Sequence, residues 1–253
     1  MIARGLQRWT KRGATRLLDF LLPPVCLGCD AGVDAPGRLC AACWPRVAFI
    51  SAPLCVCCGL PFELPVPAGT LCAACIAAPP RFDHARAAAR YGGPIRDLLL
   101  RFKHGDRLDL APALGRLLVQ AGADCLDGAD ALVPVPLHWQ RRLARRYNQA
   151  AELARQVGAL SGTPVWPDVL LRRRPTPPQG RLGRLARLRN VAGAFEVAAA
   201  AKPRIAGRHL VLIDDVFTTG ATADACCRAL KAAGAARVDL LTVARVVHAG
   251  DPA

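Results

Sequence analysis

Four Cys-x-x-Cys pairs, closely spaced near the N-terminus, constrain this chain more than any other feature. They are Cys26 with Cys29, Cys40 with Cys43, Cys55 with Cys58, and Cys72 with Cys75. Nine of the twelve cysteines lie between residues 26 and 75, and Cys57 is the ninth. Two residues between thiolates let both sulfurs of a tight knuckle face one metal ion, and two knuckles complete a zinc tetrahedron. The second half restates the first: "CLGC…LCAACW" is followed by "CVCCGL…LCAAC", an internal duplication of a small ribbon. Gly28 and Gly59 fall where the knuckles must turn. The simplest assignment gives one ion to Cys26, Cys29, Cys40 and Cys43, and a second to Cys55, Cys58, Cys72 and Cys75. An interleaved pairing stays open, as does replacement of a neighbour by Cys57, so one or two ions are expected. A disulfide framework conflicts with a reducing compartment. A thioredoxin-like site expects a single pair beside a strand–helix unit. A closed four-sulfur shell leaves no open position, so the zinc is expected to be structural.

The chain has 253 residues, 53% of them apolar, which is enough for a sizeable core. No run reaches the ~18 apolar residues of a membrane span. Residues 1–24 are basic and then apolar. Leu6, Trp9, Leu17 and Phe20 fall on one side of a helix, which suits packing on a neighbouring domain or lying on an anionic membrane surface. The apolar stretch is too short for a secretory core, so a cytoplasmic location is expected. Composition changes after Cys75, and the cysteine section is assigned to residues 25–79.

From residue 80 to 248, strand-like and helix-like segments alternate, as in a parallel-sheet α/β domain. "ARAAARY", "ADALVPVPL", "HLVLIDDV" and "RVDLLTVARVV" read as strands. "PIRDLLLRFKH", "LDLAPALGRLLVQAG", "NQAAELARQVGAL" and "GATADACCRALKAAG" read as helices. Cys125, Cys226 and Cys227 read as small buried hydrophobes.

The segment "VLIDDVFTTGAT" places Asp214 and Asp215 at the end of a buried strand, where open parallel sheets bind ligands. Bare neighbouring carboxylates repel one another, so the pair suits a polyhydroxyl ligand or a cation. Val216 follows, and then Thr218, Thr219, Gly220, Ala221 and Thr222 form a loop at a helix start. Open backbone N–H groups and the helix dipole favour phosphate there. An ordinary helix cap needs one hydroxyl, not two acids and three threonines.

This segment resembles the phosphoribosyl pyrophosphate (PRPP) signature of type I phosphoribosyltransferases. The whole chain resembles the ComF family, also called the GntX or ComFC competence family, which joins an N-terminal double zinc ribbon to such a domain. The supporting residues are the paired knuckles, "FKHGD" (Phe102–Asp106), "VPVPLH" (Val133–His138), "RRYNQ" (Arg145–Gln149), and Thr176, Gln179, Arg187, Asn190 and Phe195. Arg146 stands where the family usually has glycine. The resemblance implies that Asp214 and Asp215 hold the ribose hydroxyls and that residues 218–222 cradle the 5′-phosphate. Mg²⁺ would accompany PRPP.

The formal charge of +15 points to an anionic partner. Residues 170–190 hold seven arginines and no carboxylate. Arg172, Arg173, Arg174 and Arg187, with Arg142, Arg145 and Arg146, are candidates for pyrophosphate or for a nucleic-acid backbone. Base-tolerant single-strand binding needs aromatic stacking; only 5% of the chain is aromatic, although Trp139 and Tyr147 sit among arginines. Lys103 and His104 are weaker candidates. Three functions fit: a phosphoribosyltransferase with an unidentified acceptor, a non-catalytic PRPP sensor, and a protein handling single-stranded DNA. The resemblance favours the last, in natural competence with helicase and DNA-processing partners.

Overall fold

The computed structural model describes residues 23–104, 107–137, 147–174 and 189–247. They fall into two compact units, one ending at Arg46 and the other beginning at Val47. The first ribbon therefore lies in one unit, and the second ribbon shares a unit with the α/β sheet.

The duplication read from the cysteine spacing is also a duplication of hydrogen bonds. In the first ribbon Cys26 N–H donates to the Ala31 carbonyl, and Asp30 N–H closes the turn onto Cys26. In the second, Cys55 N–H donates to Leu60 and Gly59 N–H closes onto Cys55. The turn residues at these equivalent places are left-handed in both copies: Asp30 at φ 61° and Gly59 at φ 67°. Gly28 is not the turn residue. It provides room instead, since a Cβ there would lie 3.1 Å from Cys43 Sγ. Gly59 has both roles, because a Cβ would come within 2.4 Å of the Ala85 carbonyl oxygen.

The main sheet has four strands: β1 (Ala85–Arg90), β2 (Ala131–Pro134), β5 (His209–Phe217) and β6 (Arg237–Arg245). Their order is β1-β6-β5-β2, and every pairing is parallel. The central strands β5 and β6 are covered on both faces, which is why "HLVLI" and "VDLLTVA" are almost unbroken apolar runs. Each edge is covered. Ile50 N–H donates to Ala88 and Arg90 N–H to Ala48, so residues 48–50 run antiparallel beside β1. On the far side, Leu132 N–H donates to Pro164 and Trp166 N–H to Leu132. These contacts cover backbone groups that would otherwise template pairing with another chain.

Among the described residues four long helices support the sheet: α1 (Gly93–His104), α2 (Ala111–Ala121), α3 (Gln149–Ser161) and α4 (Ala221–Ala232). The start of α3 is capped by Asn148, whose side chain accepts from the Ala150 N–H, and Gly162 ends it at φ 78°. A two-stranded antiparallel pair, β3 (Leu170–Arg172) and β4 (Phe195–Val197), was not expected from the sequence. Among the described residues no helix is long and apolar enough to cross a membrane.

Candidate functional site

The carboxyl ends of the parallel strands meet at the tip of β5. Pro134 of β2 pairs with Ile213, so β2 stops just before the acids, while β6 continues alongside to Arg245. Asp214 and Asp215 therefore stand at the step between a short strand and a long one. Strand alternation sends neighbouring side chains to opposite faces. Asp215 Oδ2 lies 2.8 Å from Lys103 Nζ of α1, in a pair with both side chains mostly enclosed. Asp214 turns back to accept from the Asp215 N–H at 2.9 Å. Burial first, and the Asp215 charge second, push the Asp214 carboxyl up to about 7, against the opposing pull of Lys103 and Arg172. Asp214 is thus held toward its neutral form at the step, while Asp215 is paired with Lys103.

Lys103 is placed with care. Tyr147 Oη donates to the Phe102 carbonyl at 2.5 Å, and Gln149 Nε2 reaches the Lys103 carbonyl at 3.5 Å. Asn148 Nδ2 donates to Val135 at the end of β2. The "YNQ" stretch is thus a strut that ties α3 to the end of α1 and to β2. One lysine in a helix carries no spacing signal, so the sequence alone makes Lys103 only a weaker candidate.

Beyond the acids, Val216 is partly buried and pairs with Ala244, and Phe217 is buried. Thr218 is exposed. Gly220 precedes α4 at φ 77°, and a Cβ there would come within 2.9 Å of Phe217 Cε2. Only glycine fits this corner without strain. The helical ladder begins with Asp224 N–H donating to Gly220, so residues 221–223 form the first turn at the positive end of the helix. Thr219 Oγ1 is buried and lacks a hydrogen-bond partner. That orphaned hydroxyl at the start of α4, where the helix dipole favours negative charge, suits a phosphate, whose oxygens accept from it.

The arginine run divides where β3 ends. Arg172 lies over the Phe195 ring, 5.2 Å from its centroid, and exerts its charge on Asp214. Arg173 points elsewhere and pairs with Glu196 at 2.6 Å. Arg174 donates to the Ala192 carbonyl. Of the three, Arg172 alone is tied electrostatically to the acids. Arg142, Arg145, Arg146 and Arg187 lie outside the described residues.

The four sulfurs of Cys26, Cys29, Cys40 and Cys43 lie within 4.8 Å of one another, and so do those of Cys55, Cys58, Cys72 and Cys75. This is the sequential pairing, not the interleaved one. A tetrahedral zinc with Zn–S near 2.3 Å sets its sulfurs about 3.8 Å apart. Cys29 and Cys40 are 3.6 Å apart at the first site, and Cys58 and Cys72 are 3.6 Å apart at the second. Amide donors already favour thiolate. Cys26 Sγ accepts from Cys40 N–H at 3.1 Å and Gly28 N–H at 3.3 Å, and Cys55 Sγ accepts from Cys72 N–H at 3.3 Å. Burial pushes Cys26 up, but these N–H groups outweigh it and bring it down to about 6. The Cys58 thiol and then backbone N–H groups bring Cys55 down to about 4. Both sites fit structural zinc. Cys125, Cys226 and Cys227 are buried, and burial raises all three thiols.

Comparison with known proteins agrees with this geometry. The double zinc ribbon domain family matches residues 17–76, and the phosphoribosyl transferase domain family matches residues 168–252. DNA utilization protein YhgH of Escherichia coli O6:H1 is 32% identical over 218 residues, covering 83% of this chain and 91% of that protein. The chain belongs to the ComF family. Competence protein F of Haemophilus influenzae is 29% identical over 226 residues, covering 87% of this chain and 96% of its own length. A glutamine PRPP amidotransferase from B. subtilis, complexed with ADP and GMP, aligns at 19% identity and a TM-score of 0.38, over 56% of this chain and 30% of that one. Within this ComF chain, two cysteine sites and a phosphoribosyltransferase-type sheet are therefore joined in one polypeptide. One residue near the tip that the sequence analysis does not name is Arg245. It closes the otherwise apolar run "LLTVAR", and a charge in so buried a place is itself a signal.

Proposed function

We propose that this chain binds PRPP with Mg²⁺ at the tip of β5 and handles single-stranded DNA in natural competence, in the cytoplasm. The observation that carries the first part is the step at Asp214 and Asp215, followed by the buried, unpartnered Thr219 hydroxyl at the start of α4. The carboxylates accept from the ribose hydroxyls, and residues 218–222 donate to the 5′-phosphate. Lys103 and Arg172 supply positive charge beside the acids, where a pyrophosphate would lie. Asp214 and Asp215, together with the bound PRPP, would hold Mg²⁺, which would offset the negative charge of the pyrophosphate. Transfer would break the C1–O bond to pyrophosphate and form a bond from C1 to an acceptor, which loses a proton. In this chain the residues bind and orient, and none is assigned as the base.

The DNA reading rests on the net charge of +15 and the arginine runs at residues 141–146 and 172–189. The relatives named for DNA utilization and competence support it. Helicase and DNA-processing proteins are the partners this role implies. A single titration series tests both parts: PRPP with Mg²⁺ and single-stranded DNA, separately and together, followed by pyrophosphate release. Binding of both ligands without pyrophosphate release supports the non-catalytic form of the proposal. Release that depends on an added acceptor makes the protein a transferase. Absence of PRPP binding overturns the pocket assignment.

A further inference from the structure

The second cysteine site and the β5 tip share one side chain. Arg245, at the end of β6, is 8% exposed. Its Nη1 donates to the Cys58 carbonyl, and its guanidinium lies over the Phe217 ring, 4.9 Å from the centroid. Phe217 is held from other sides as well. Its ring meets Phe82 edge-on at 5.8 Å, and its carbonyl accepts from Val246 N–H at 2.8 Å. The same ring fills the space that a Cβ on Gly220 would occupy. Three contacts therefore run without a gap from a metal-ligand residue to the glycine of the phosphate loop: Cys58 to Arg245, Arg245 to Phe217, Phe217 to Gly220.

Charge gives this path a direction. A buried guanidinium is costly without an anion. Among the described residues no carboxylate forms an ion pair with Arg245, and its Nε is buried without a hydrogen-bond partner. Four thiolates around Zn²⁺ carry a net charge of about −2. The loaded site would supply the missing negative charge beside a guanidinium that already donates to the Cys58 carbonyl.

We propose that Arg245 is a positioning residue that offsets the charge of the metal-loaded Cys55–Cys58–Cys72–Cys75 site and, through Phe217, couples its occupancy to the geometry of residues 218–222. Only the use of that loop for phosphate rests on the proposed function. The coupling itself does not.

The test uses the full, zinc-loaded chain with Arg245→Gln, Arg245→Lys and Cys43→Ser, the last removing one ligand of the first site. Zinc per chain is followed by native mass spectrometry under graded chelator, and amide hydrogen exchange is followed at residues 217–224. Arg245→Gln should release one zinc at ~10–100-fold lower chelator, the usual effect of losing a group that supports metal ligands. Its loop amides should then exchange faster. Arg245→Lys should restore most of the zinc retention, because it restores charge, which a purely packing role would not require. Cys43→Ser should leave the loop exchange unchanged. If Arg245→Gln proves insoluble, stripping the second zinc from Cys43→Ser protein gives the same exchange comparison. The proposal fails if Arg245→Gln holds zinc like the wild type, or if emptying the second site leaves the loop amides unchanged. PRPP calorimetry on the wild type separates the two readings: no PRPP binding with the zinc and exchange results intact sinks the proposed function alone.

Discussion

Asp214 concentrates the chemistry of the tip. In the free protein its carboxyl keeps a proton up to about pH 7, while an unfolded chain loses that proton near pH 4. The folded state holds the extra proton between those values. Its contribution to stability therefore falls as pH rises from about 4 to about 7, and is level above that. Ribose hydroxyls prefer the carboxylate, so PRPP affinity should rise between pH 6 and 8 with proton release on binding. Calorimetry in buffers of different ionisation enthalpy reads both, and Asp214→Asn should abolish the release. Release that persists in Asp214→Asn would assign the proton to another group. Lys103 is the second key residue. Lys103→Met leaves Asp215 beside Asp214 without its cation, and PRPP affinity should fall about tenfold or more, the scale of a hydrogen bond to a charged group. An unchanged affinity would show that Lys103 serves the free protein only. The acids were legible because two adjacent carboxylates break an apolar strand. Lys103 was not, since its role depends on Tyr147 and Gln149 holding two carbonyls 45 and 46 positions away in sequence.

Element boundaries followed the sequence where burial was strongest. The strands β5 and β6 showed as apolar runs because both their faces are covered, and α3 showed its own ends through Asn148 and Gly162. The pair β3–β4 did not show. Its strands have three residues each, too few for a period-two pattern, and β3 runs directly into arginines. The same short strand explains why three consecutive arginines do not act together: alternation turns Arg172 toward Phe195 and Arg173 toward Glu196. The loop between β5 and α4 is held by one glycine. Gly220→Ala places a Cβ at positive φ and against Phe217, which should cost about 1–3 kcal/mol in chemical denaturation. PRPP affinity should fall with it. A variant as stable as the wild type would mean that this corner relaxes freely.

For the molecule as a whole, the formal charge of +15 bears on nucleic-acid binding. Single-stranded DNA affinity should drop steeply with salt, and Arg181→Gln, Arg184→Gln and Arg187→Gln together should reduce the log–log salt slope by about two. Fluorescence anisotropy from 50 to 300 mM salt measures this, and an unchanged slope would remove that run from the DNA surface. The cysteine spacing announced two ribbons, and the structure adds that the second shares a compact unit with the sheet, which no spacing rule could show. The central claim is the phosphate cradle at the β5 tip. A crystal structure of the zinc-loaded chain with PRPP and Mg²⁺ tests it most directly. The account predicts the 5′-phosphate within hydrogen-bond reach of the amides of residues 219–222, with the ribose hydroxyls on Asp214 and Asp215. PRPP bound elsewhere, or a tip left vacant at saturating ligand, would contradict it.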